Sequence, residues 1–120
     1  MIGLVNKIIV SKVEETFEKG AWVRRLANLE RTGNKYSQLT LYRLPPRHKS
    51  PKHLHPNSEQ MAYVLRGRVL CKIGEEEVEV SAGEFVVIPE GTPHISINLW
   101  GEDVEILLFH APVPKVKYLE

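Results

Sequence analysis

The residues with the most chemical potential are the histidines at positions 48, 53, 55, 94 and 110. His53-Leu54-His55 is the informative pair. In extended chain, side chains at i and i+2 leave the same face, so two imidazoles can approach one ion together. His94 comes much later, just after the turn cluster Pro89-Glu90-Gly91-Thr92-Pro93. That placement suits a further ligand delivered by a neighbouring strand. Imidazole is the commonest metal ligand near neutral pH. The spacing therefore predicts a divalent metal, with unrelated surface histidines as the alternative. His110 ends a different pattern. Val104, Ile106, Leu108 and His110 share one face of a strand-like run, while Glu105, Leu107 and Phe109 share the other. The first face is apolar until its last member, as expected of an interior that ends at a mouth. There His110 could act as a general acid/base; the alternative is a rim or interface histidine. His48, beside Arg47, reads as solvated.

These residues need elements to hold them. Gln38 to Leu44 reads as a strand stopped by Pro45-Pro46. Met61 to Leu65, Arg68 to Ile73, Glu77 to Val80, Phe85 to Ile88, Ile95 to Leu99 and Val104 to Phe109 read likewise, separated by Gly, Pro and Asn signals. Many short strands with regular turns predict an antiparallel sandwich or barrel. Lys12 to Lys19 is the one helical candidate. The N-terminal part is apolar in short pieces, with N-terminal strands expected over about 1–35, a core barrel over about 36–112 and a short tail, all in a single domain spanning 1–120. A chain of 120 residues is long enough to build its own core. A net charge of +1 argues against a nucleic-acid binder, and no apolar run approaches a membrane span. Without a signal-peptide pattern, the cytoplasm is the expected compartment. Cys71 has no cysteine partner and alternates with Val69 and Ile73, so it reads as a core thiol.

Gly83, Pro89, Gly91, His94 and Asn98 stand at the spacing of the second sequence motif of the cupin superfamily, and the chain resembles that family at all five positions. The first motif is similar too: His53-x-His55, then Gln60, then Gly67. Arg47 stands where the family usually has glycine, and Gln60 where it usually has glutamate. The resemblance implies an all-β double-stranded β-helix, or jelly-roll barrel, with one divalent metal near its mouth on His53, His55, Gln60 and His94. Glu59 is the alternative to Gln60. Counting back from Gly67, Gln60 shares an inward face with Ala62 and Val64, whereas Glu59 would require a bulge. Three imidazoles and an amide are neutral, so the ion keeps its full charge and polarises oxygen well. Mn, Fe, Co, Ni and Zn all suit such donors.

The run from His53 to Gly67 is also similar to the cupins that open unsaturated uronate sugars, which use His, His, Gln and His. Those enzymes carry an acid and an aromatic on the last strand, and an arginine just after. Aligned on Pro112, this chain has Leu108, His110 and Pro114 there, so their catalytic set is not reproduced. The expected function is metal-dependent catalysis on a small oxygenated metabolite, such as isomerisation or ring opening of a sugar-like keto acid. A non-catalytic binding protein and an oxygen-using dioxygenase are the alternatives. Arg43 or Tyr42 must face inward, and an inward Arg43 could clamp a carboxylate. Outward Leu107 and Phe109, with Ile95, Ile97 and Leu99, predict a homodimer. The resemblance implies sheet-to-sheet pairing, with residues 4–10 suited to strand exchange.

Overall fold

The structure is a computed structural model and describes residues 6–119. Strands β1 (Thr16–Glu18) and β2 (Ala21–Ala27) come first, followed by the short helix α1 (Leu29–Thr32) and β3 (Gln38–Leu44). Then come β4 (His53–Leu54), β5 (Glu59–Arg66), β6 (Arg68–Ile73), β7 (Glu76–Ser81) and β8 (Phe85–Ile88). Strands β9 (His94–Ile97), β10 (Val104–Ala111) and β11 (Lys117–Tyr118) end the described chain. They form a six-stranded sheet, β1-β2-β3-β10-β5-β8, and a five-stranded sheet, β11-β4-β9-β6-β7. Every pairing is antiparallel. This is the expected all-β jelly roll. Among the described residues, no helix is long and apolar enough to cross a membrane.

The core lies between the sheets, where alternation on each strand delivers one apolar face. Ala62 and Val64 on β5, Val69 and Cys71 on β6, Val80 on β7, and Val104 and Ile106 on β10 are buried together with Ala21 and Leu44. Cys71 is thus a core thiol, and burial pushes its pKa up. Val78 is exposed at the β7 edge, so the alternation expected there buries Val80 alone.

Two turn residues tie the ends of the barrel strands. Gly67, at φ +79°, joins β5 to β6, and a Cβ there would lie 2.6 Å from the Asp103 carbonyl oxygen. Only glycine fits that approach. Asn98 is buried, and its Nδ2 donates to the Leu44 carbonyl at 3.0 Å and the Glu102 carbonyl at 2.7 Å. Its Oδ1 accepts from the Trp100 amide at 3.0 Å. One amide therefore ties three loops, which satisfies backbone groups that no strand reaches.

The helix expected at Lys12 to Lys19 is not formed. Val10–Lys12 is a single 3₁₀ turn, and Thr16–Glu18 pairs with Ala21–Val23 through a tight turn at Lys19-Gly20. Both turn residues have positive φ, as two-residue hairpins of this twist require. Phe17 packs edge-on to Trp22 with ring centres 5.0 Å apart, so cross-strand packing outweighs a weak helical pattern. The helix lies instead at Leu29–Thr32, where Asn28 Oδ1 accepts from the Arg31 amide and Gly33 ends the turn at φ 76°. Of the residues 4–10 proposed for exchange, 4 and 5 lie outside the described residues, and 6–9 form no strand.

Candidate metal centre

The sheets bring four histidines to one end of the barrel. His53 on β4 pairs directly with His94 on β9, and the His53 and His94 ring centres are 4.3 Å apart. His55 follows β4 in the turn toward β5; its ring lies 5.0 Å from His53 and 5.4 Å from His94. Opposite, on the six-stranded sheet, His110 on β10 pairs with Gln60 on β5. The His110 ring is 4.7 Å from that of His55.

The hydrogen bonds fix the tautomers of the first three rings. His53 Nδ1 meets the Pro51 carbonyl at 2.7 Å, His55 Nδ1 meets the Lys115 carbonyl at 2.8 Å, and His94 Nδ1 meets the Thr92 carbonyl at 2.9 Å. A carbonyl only accepts, so each Nδ1 carries the hydrogen and each Nε2 keeps its lone pair. Ring nitrogens of His53, His55 and His94 lie within 4.8 Å of one another, a grouping that could hold a metal ion. His94 Nε2 is buried without any hydrogen-bond partner. A buried lone pair left unsatisfied costs free energy, and a cation at the centre of the cluster removes that cost. Backbone carbonyls on Nδ1 are also the usual way a ligating histidine is oriented. Burial, reinforced by the neighbouring imidazoles, pushes the His94 pKa down to about 4 and lowers that of His55. Both are therefore neutral at pH 7, the form that binds metal.

Gln60 is buried and inward-facing, with Ala62 and Val64 on the same face, and Glu59 is exposed. The register argument thus describes β5 without a bulge at this point. Gln60 Oε1 lies 3.1 Å from His110 Nε2 and accepts its hydrogen. That oxygen has a second lone pair, and the Gln60 side chain also interacts with His55. His110 Nδ1 is then the acceptor nitrogen, and it is buried without a partner. Burial is the main reason that the His110 pKa falls to about 3, and the other three imidazoles add to it. His48 sits outside this group, exposed, with Nδ1 on the Pro46 carbonyl.

A cavity of about 240 Å³ opens over the cluster. His53, His55, Gln60, His94 and His110 line one side. Facing inward from β3 are Gln38, Thr40 and Tyr42, in register with His110, Leu108 and Ile106. Tyr42, not Arg43, is therefore the inward residue. Burial raises its pKa to about 12, keeping the phenol protonated. Arg43 faces out, ion-paired to Glu15 at 3.0 Å and Asp103 at 3.2 Å over the Trp22 ring. Glu18, Arg25 and the exposed Tyr118 form part of the rim.

Residues 40–110 match the Cupin domain family. The chain belongs to the cupin family. Among curated proteins, this cupin is 35% identical over 69 residues to an uncharacterized protein of Methanocaldococcus jannaschii, covering 58% of this chain and 55% of that one. The match thus spans about half the length of that relative. It is 25% identical over 115 residues to the polyketide synthase CurC of Streptomyces cyaneus, covering 92% of this chain and 74% of that one. Among solved structures, the polyketide cyclase RemF from Streptomyces resistomycificus is 25% identical with a TM-score of 0.79, covering 98% of this chain and 87% of that one. KdgF from Halomonas sp. shares the fold at a TM-score of 0.79 and 18% identity, covering 89% of this chain and 94% of that one.

All four expected ligand positions and His110 thus fall around one cavity of the cupin barrel. Sequence reasoning missed Gln38 and Thr40 as part of its wall. Their signal was available: both alternate with outward Leu39 and Leu41 on a strand that pairs with the His110 strand.

Proposed function

We propose that this cupin is a metal-dependent enzyme that moves a proton next to a carbonyl of a small oxygenated substrate, without redox change. The observation that carries the reading is the set of three converging imidazoles, each anchored at Nδ1 by a backbone carbonyl, beside the buried His110–Gln60 pair. A divalent ion on His53, His55, His94 and Gln60 would keep its full charge among neutral donors and acidify such a proton. His110 takes the proton at Nδ1 and returns it elsewhere on the substrate. Its low pKa restricts it to protons already acidified, and negative charge growing on the substrate raises that pKa during transfer. The side chains of Gln38, Thr40 and Tyr42 line the cavity without a hydrogen-bond partner among the described residues, so they are available to orient hydroxyl and carbonyl groups. Val23 and Leu108 supply an apolar wall that excludes water.

This step is common to isomerisation or ring opening of a keto acid and to ring closure between carbonyl-bearing carbons. The latter is supported by the likeness to the polyketide cyclase RemF. The test is exchange of protons next to the carbonyl in D₂O, followed by proton NMR. A panel of keto acids, keto sugars and β-diketones is offered to the metal-loaded protein without oxygen. Metal-dependent exchange on one class is the expected result. Oxygen uptake with no exchange would overturn the reading in favour of a dioxygenase.

We infer also that the protein works as a homodimer through the outer face of the six-stranded sheet. Leu41, Leu107, Tyr63 and Phe85 form one apolar row across β3, β10, β5 and β8, and Leu39, Phe109, Met61 and Val87 form the next. Phe85 is 56% exposed and Val87 54%. Two adjacent rows of this kind are too large a patch for a lone barrel to leave in water, and a second copy, presenting the same rows, covers them symmetrically. Sedimentation at micromolar concentration should give twice the chain mass, and Tyr63→Glu with Phe85→Glu should give the monomer. A monomeric wild type would refute this.

A further inference from the structure

The residues after β10 form a strap that runs back across the histidine-bearing loop. Its polar contacts converge on one short segment. Asn57 Nδ2 donates to the Val113 carbonyl at 2.9 Å, and Asn57 Oδ1 accepts from the Lys115 amide at 2.8 Å. Ser58, which is buried, donates from its hydroxyl to the Pro112 carbonyl at 2.6 Å. Farther along, Tyr118 on β11 pairs with His53, and the Leu119 amide donates to the Lys52 carbonyl at 3.0 Å.

Between those ties lies a strap group that orients a histidine of the cluster. The Lys115 carbonyl accepts from His55 Nδ1 at 2.8 Å. His53 and His94 are oriented by carbonyls two residues before them, on their own loops. His55 differs: its orienting carbonyl comes from 60 residues away in sequence. A local turn cannot hold such a partner, so something else must place the Lys115 peptide. Asn57 holds the chain just before that carbonyl, at the Lys115 N–H and the Val113 carbonyl, and the β11–β4 pairing holds it two residues later, at Lys117. Held on both sides, the Lys115 carbonyl is aimed at His55.

We propose that Asn57 is a positioning residue of the metal centre, acting through the Lys115 backbone to fix the tautomer and orientation of His55. The inference rests on the reading of His53, His55 and His94 as metal ligands. Partners that orient a ligating histidine typically change metal affinity by 10- to 100-fold. Because the orienting group is backbone, the exposed Lys115 side chain has no part in it.

The experiment titrates Zn²⁺ and Co²⁺ into metal-stripped wild type, Asn57→Ala and Lys115→Ala, and records the Co²⁺ visible spectrum of each. Circular dichroism and thermal melting of the metal-free proteins check the fold. Asn57→Ala is expected to bind about 10- to 100-fold more weakly than wild type, with an altered Co²⁺ spectrum. Lys115→Ala should match wild type in both. Equal affinity and an unchanged spectrum for a folded Asn57→Ala would overturn the proposal. If Asn57→Ala does not fold, Asn57→Asp replaces it. That variant keeps the acceptor for the Lys115 amide and loses the donor to Val113, so it should show a smaller loss, and wild-type affinity would again overturn the proposal. Absence of metal binding by the wild type would instead sink the ligand assignment, which separates the two failures.

Discussion

His94→Ala is expected to leave the protein folded and without its metal. The imidazole is buried at the start of β9, with Nδ1 on the Thr92 carbonyl and Nε2 unpaired. Removing it discards one of three converging nitrogens, and the two that remain cannot close a stable coordination sphere with one amide. Removing it also discards a desolvated lone pair, a gain that offsets part of the lost packing. The metal-free variant should therefore melt near the metal-free wild type. What disappears is the stabilisation by added ion, which for the wild type amounts to about 4 kcal/mol at a thousandfold excess over Kd. His53→Ala should behave alike. Retention of metal by both variants after desalting would remove these residues from the site.

The second large effect is expected at His110. Replacement by glutamine keeps a donor that can reach Gln60 Oε1 but supplies no basic nitrogen. If His110 moves the proton, His110→Gln should bind metal as wild type does and exchange substrate protons about 10²- to 10⁴-fold more slowly. If His110 serves only to hold Gln60, the glutamine preserves that bond and the rate survives. The two roles share one hydrogen bond, Nε2 to Gln60 Oε1 at 3.1 Å, so only a substitution that keeps the bond can separate them.

The barrel and its site were legible for a shared reason. Strand alternation makes side-chain facing a matter of parity, so Gln60, Ala62 and Val64 follow once β5 is located, whereas His55 joins His53 from the turn just past β4. Gly67 marks the end of β5 because only glycine tolerates the Asp103 carbonyl at 2.6 Å from a Cβ. The same parity distinguished Gln60 from Glu59. What stayed hidden depended on contacts distant in sequence. Thr16–Glu18 is a strand because Ala21–Val23 folds back on it, a pairing that a three-residue run cannot announce by itself. The inward choice of Tyr42 over Arg43 is set by pairing with Ile106, and the outward Arg43 is held by Glu15 and Asp103. The strap was invisible because its grip on His55 is a backbone carbonyl, which carries no residue signature. The apolar outer face was underestimated: Leu107 and Phe109 are half-buried, while Tyr63, Phe85 and Val87 on β5 and β8 carry most of its exposed surface.

The central claim is that one divalent ion sits on neutral nitrogen and amide-oxygen donors. X-ray absorption on wild-type protein reconstituted with Mn²⁺ or Zn²⁺, alongside metal analysis after desalting, tests it most directly. The account predicts one ion per chain, with three imidazole scattering shells and first-neighbour distances of about 2.0–2.3 Å. Trace metal only after desalting, or a bound ion with no imidazole in its first shell, would contradict it.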